Sequence, residues 1–115
     1  MENYPQTKGK TTIDPGVLIS IAKLAALSVE GVIRMSPGPH SIESVFKSSY
    51  NDGVNIDVEN NTVYVDLYLI MKSGCDLFKT SEKVQNKVSR AITEMVGMEI
   101  GHVNIHIEDV DFLGE

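Results

Sequence analysis

The chain contains no tryptophan and a single cysteine, Cys75, among its 115 residues. One cysteine excludes an intrachain disulfide and any multi-cysteine zinc site. The lack of a disulfide framework fits a reducing cytosol. Basic residues are in deficit, with 10 Lys and Arg against 16 Asp and Glu and a net charge of -6. So acidic a chain lacks the basic surface on which non-specific nucleic-acid binding depends. No stretch approaches the ~18 apolar residues that a membrane span needs, and the most apolar run, 17–27, is broken by Ser20 and Lys23. The opening Met1-Glu2-Asn3-Tyr4-Pro5 has neither the basic nor the apolar part of a signal peptide. The expectation is a cytoplasmic protein without a transmembrane segment, meeting a membrane only at its surface or through a partner. Phosphate-binding loops of the G-x-x-x-x-G-K-[ST] and G-x-G-x-x-G types are missing, as is a G-x-S-x-G nucleophile turn.

What remains is the composition of a soluble globular domain, 42% hydrophobic and 23% charged. Its length suffices for one domain, placed over 10–112 between tails at 1–9 and 113–115. Residues 10–13 have β-branched strand character. Asp14 as N-cap and Pro15 at the first helical position open a helix over 15–30, which Gly31 closes. Its apolar residues, among them Val17, Leu18, Ile21, Leu24 and Ala25, cover roughly 200° of the wheel where about 100° serves a single core. The surplus implies either burial under the following loop or a subunit or partner contact.

A short strand is expected at 32–35, then an irregular stretch over 36–52 in which Ile42, Val45 and Phe46 fall at helical spacing. A hairpin follows. Val54, Ile56 and Val58 alternate with polar residues, Asn60-Asn61 tolerate the positive φ of a tight turn, and Val63, Val65, Leu67, Leu69 and Met71 alternate in their turn. The second helix runs from Asp76 to Gly97. Leu77, Val84, Val88, Ala91, Ile92 and Met95 face inward, and Lys79, Lys83, Lys87 and Arg90 form a ridge opposite. A final strand covers 102–108. The order β-α-(β)-β-β-α-β predicts an α+β, two-layer sandwich with both helices on one face of a mostly antiparallel sheet.

Catalytic chemistry finds little support. Cys75 precedes a helix, where a thiol is acidified, but Asp76 opposes thiolate formation and no histidine is nearby in sequence. A half-buried structural role fits it. His102 and His106 share a strand face about 13 Å apart, too far to hold one metal ion by themselves. They read as exposed strand histidines, and His40 in the Pro-containing loop has no evident partner. Tyr64 and Tyr68 on the outward sheet face could stack bases, but Asp57 and Asp66 beside them would repel phosphates. Packing against a second protein surface fits better. No catalytic residue, cofactor or metal ion is expected. The candidate partner surface is Val17, Leu24, Tyr64, Tyr68, Lys79, Lys83, Lys87 and Arg90, with the four cations facing solvent or a partner and never the core.

Four segments in order carry a family resemblance: Ile21-Ala22-x-x-Ala25-Ala26-x-x-Val29-Glu30-Gly31-Val32, then Gly53-Val54-x-Ile56 with Val63-x-Val65-Asp66-Leu67, then Val84-Gln85-x-x-Val88-x-x-Ala91-x-x-x-Met95-x-Gly97, and last Val103-Asn104-Ile105-x-Ile107-x-x-Val110. Together they resemble the alkaline shock protein family, envelope stress-response proteins of Gram-positive-type bacteria. The resemblance implies a cytoplasmic, non-enzymatic homo-oligomer tied to envelope homeostasis, docking to a membrane-anchored protein partner. The alternative is a small nucleic-acid or anionic-ligand module using the basic ridge of the second helix.

Overall fold

The structure, a computed structural model, describes residues 9–37 and 53–112. Six elements follow one another: α1 (Pro15–Leu27), β1 (Val32–Met35), β2 (Val54–Glu59), β3 (Thr62–Lys72), α2 (Leu77–Val96) and β4 (Glu99–Asp111). The two-layer α+β sandwich is the observed fold, with both helices packed on one face of a four-stranded sheet.

Local chemistry sets the boundaries. The Asp14 carboxylate accepts the Gly16 backbone N–H at 2.8 Å and Pro15 begins α1. Asp76 caps α2 in the same way, accepting from Lys79 N–H at 3.1 Å. Gly97 ends α2 in the left-handed region, φ 72°, where a residue without Cβ is unstrained. Asn60 and Asn61 both take positive φ, 52° and 64°, and close the β2–β3 hairpin.

β3 is the centre of the sheet. Its inward residues Val63, Val65, Leu67, Leu69 and Met71 are fully buried beneath Leu18, Ala22 and Ala26 of α1 and Val84, Val88 and Ile92 of α2. One edge of β3 is shared end to end. β1 pairs antiparallel with its last residues, Val32 opposite Met71, and β2 with the rest, Val54 opposite Leu67. Gly53 joins the two segments: its carbonyl accepts from Tyr68 N–H and the Tyr68 carbonyl accepts from Ser36 N–H, both at 2.8 Å. The other edge carries β4, parallel to β3 along its whole length, Thr62 opposite Glu99 through Lys72 opposite Asp111. Two pairings are thus antiparallel and one is parallel, because α2 returns the chain to the end of the sheet where β3 began.

Several expectations change. Residues 10–13 form no strand and are exposed, so the order begins with α1. β-branching is only a weak local preference, and none of these four residues is paired with the sheet. α1 stops at Leu27, with the Ser28 N–H bonding back to Leu24 and Ala25. Gly31, φ 107°, lies in the turn that follows. β4 is longer than the 102–108 alternation. Met95 is 68% exposed rather than inward, while Thr80 is buried. The wheel gives a residue's direction around the axis but not whether a neighbour stands there, and Met95 lies in the last turn of α2. Thr80 packs against Gly31, where a Cβ would come within 3.1 Å of its methyl. His40 and the helical spacing of Ile42, Val45 and Phe46 lie outside the described residues, as do most of the expected tails.

Candidate interaction surfaces

Two surfaces bring together the residues that the sequence singles out. The first lies on the helix layer. Val17, Leu24 and Leu27 recur along one side of α1 and are exposed, Val17 by 45% and Leu24 by 69%, while Leu18, Ile21, Ala22, Ala25 and Ala26 face the core. The broad apolar arc of α1 is therefore divided between the core and an uncovered stripe. Beside that stripe, α1 and α2 enclose an open groove of about 890 Å³ with Ile21, Leu24, Ala25, Val29, Ala91 and Met95 as its apolar lining. Lys83, Lys87 and Arg90 line the same groove, together with Glu30 and Glu94. The basic ridge and the apolar surplus of α1 are thus parts of one feature. Lys79 and Val17 lie outside the groove, Lys79 a turn earlier on α2. All four cations are exposed. Arg90 meets Glu94 at 3.4 Å, an exposed i,i+4 pair of small energetic weight.

The second surface is the sheet face away from the helices. Parallel pairing sets Tyr64 beside His102, Asp66 beside Asn104 and Tyr68 beside His106. Tyr64 and His102 meet edge to face with centroids 5.0 Å apart, and Tyr68 and His106 stack at 4.5 Å. Asp66 Oδ1 ties the ladder together, 3.0 Å from His106 Nε2 and accepting from Asn104 Nδ2 at 3.2 Å. Gly101 leaves room for Tyr64, since a Cβ there would collide with the ring. Burial, with the carboxylates of Asp66 and Glu108, raises the Tyr68 phenol above its usual 10.0, so it stacks as a neutral ring. Ile70, which continues the same alternation after Tyr64 and Tyr68, is buried.

The tyrosines were legible as outward residues. Their histidine partners were not, because only the parallel register of β4 brings them alongside. Among the described residues no group of three or more His, Cys, Asp or Glu side chains is placed to hold a metal ion. Cys75 is half-buried against the core. No helix of the described residues is long and apolar enough to cross a membrane.

The fold and these surfaces define a class: a small two-layer α+β domain that presents, among the described residues, an open helix groove and an open polar-aromatic sheet face. The chain belongs to the alkaline shock protein 23 family, described by its cell envelope-related function, which matches residues 3–112. Relatives agree. The Bacillus subtilis protein YqhY is 29% identical over 114 residues, covering 97% of this chain and 84% of its own. A Streptococcus pyogenes stress response regulator gls24 homolog is 24% identical over 106 residues, covering 90% of this chain and 59% of its own. The alkaline shock resemblance and its envelope stress-response setting are borne out. Among solved structures, a MamM-CTD variant superposes with a TM-score of 0.53 at 11% identity, over 85% of this chain and all of that one, a likeness of fold alone.

Proposed function

We propose that this chain is a non-enzymatic interaction module of the cell-envelope stress response, which self-associates and docks to a membrane-associated protein partner. The uncovered apolar stripe of α1 beside the groove carries the reading. Val17 and Leu24 leave large aliphatic surface in water on a helix whose opposite side already fills the core, and contiguous exposed apolar surface on a small domain marks a contact site. The family's envelope setting supplies the context for a membrane-associated partner. The alternative, a nucleic-acid or anionic-ligand module on the basic ridge of α2, has to contend with Glu30 and Glu94, which line the same groove as Lys83, Lys87 and Arg90.

The double change Val17→Glu with Leu24→Glu tests the reading. Both side chains are exposed, so stability falls by no more than about 1 kcal/mol. Sedimentation velocity of the folded variant is expected to show a smaller species than the wild type at equal concentration. Identical sedimentation of the two would remove this stripe from the contact.

A further inference from the structure

The charges of the domain are sorted by layer. The outer side of α2 carries Lys79, Lys83, Lys87 and Arg90, moderated by Glu82 and Glu94 on the same helix and by Glu30 across the groove. The open sheet face carries the opposite sign. Strand register places Asp57 beside Tyr64 and Glu59 beside Thr62, Asp66 at the centre, and Glu99, Asp109 and Asp111 along β4. Among the described residues the Lys and Arg side chains of that face are Arg34 and Lys72; Arg34 is engaged with Asp111 at 3.2 Å, and Lys72 stands opposite Asp111 in register. The aromatic ladder of Tyr64 and Tyr68 lies among these carboxylates, while Leu24 and Met95 lie beside the lysines.

We propose that the self-association is heterologous: the cationic, apolar helix layer of one copy docks on the acidic, aromatic sheet face of the next. This rests on the self-association reading above and names its second surface. The partner is another copy of this chain because the complementary charge and the complementary aromatic and aliphatic surface are both present on opposite sides of one molecule. A helix laid on the open face completes the cover that a sheet with one packed face lacks. Such a contact uses two different patches, so it leaves a free patch at each end and propagates instead of closing as a dimer. Attraction across it is charge-driven and weakens as the Debye length shrinks from about 10 Å at 0.1 M salt to about 3 Å at 1 M.

A charge-swap experiment tests the pairing. Lys83→Glu with Lys87→Glu reverses the outer side of α2, and Asp57→Lys with Glu59→Lys removes the acidic excess of the sheet face. Among the described residues none of these four side chains has an ion-pair partner, so each double variant keeps the fold, verified by circular dichroism. Sedimentation equilibrium at about 0.05 M salt reads the result. The wild type is expected to grow in mean mass with concentration, without a plateau at the dimer, and to dissociate at about 0.5 M salt. Each variant alone is expected to be monomeric, the first because both of its faces are acidic and the second because its sheet face has lost its acidic excess. An equimolar mixture of the two is expected to regain large species, because it offers the unchanged ridge of one variant to the unchanged sheet face of the other, and the new acidic side chains of one to the new lysines of the other. Wild-type association that neither variant weakens, that stops at a dimer, or that the mixture fails to restore overturns the heterologous pairing while self-association stands. A wild type that stays monomeric at low salt overturns both.

Discussion

Replacing Leu67 by alanine is expected to lower stability by about 2–5 kcal/mol, the range for a fully buried leucine whose cavity the neighbours only partly refill. Leu67 is fully buried at the middle of β3, between Val54 of β2 and Ile105 of β4 in register. Both helices rest on its face, so no exposed element can slide in to close the void. For a domain near 100 residues the loss corresponds to a fall in melting temperature on the order of 10–30 °C. Urea unfolding followed by circular dichroism measures it. A loss under about 1 kcal/mol would mean that the β3 core is not the structural centre of the domain.

A comparable loss is expected from Gly53→Ala, for a different reason. Gly53 sits at φ +85°, between the two segments that share one edge of β3. A Cβ there would run into the Ser36 carbonyl oxygen and come within 2.9 Å of the Tyr68 carbonyl oxygen. Both obstacles are backbone groups held by the sheet ladder, so relief requires the β1 and β2 pairings to separate locally. The left-handed conformation alone costs a residue with a Cβ roughly 1–2 kcal/mol, and the lost Tyr68 hydrogen bonds, each about 1 kcal/mol, add to it. The expected signature is amide hydrogen exchange accelerated at Ser36 and Tyr68 more than at Val65. Unchanged protection at Ser36 and Tyr68 would show that the junction accommodates a methyl group.

The two effects differ in how visible they are in the sequence. The core of β3 is legible because alternation of Val, Leu and Met with polar residues assigns one face before any fold is known. The same holds for Asp14, Asp76, Gly97 and the Asn60-Asn61 turn, where a side chain's local hydrogen bond or tolerance of positive φ marks a boundary. Gly53 was legible only as a residue preceding a strand, since the carbonyls that crowd it belong to Ser36 and Tyr68. The sheet face follows the same division. Period-2 alternation turns Tyr64 and Tyr68 outward, but their contacts with His102 and His106 depend on β4 running parallel beside β3, and strand order is not a local property. Likewise the wheel separated the lysine ridge of α2 from its core face, yet gave no hint that Lys83, Lys87 and Arg90 share a groove with Leu24 of α1. That needs the distance between two helices, which packing against β3 decides.

Self-association of the unmodified protein is the central claim, and sedimentation equilibrium from micromolar to millimolar concentration at low salt tests it most directly. The exposed Val17 and Leu24 stripe predicts a weight-average mass that climbs steadily above that of the 12.6 kDa chain as concentration rises. A mass fixed at the monomer value across that whole range would contradict it.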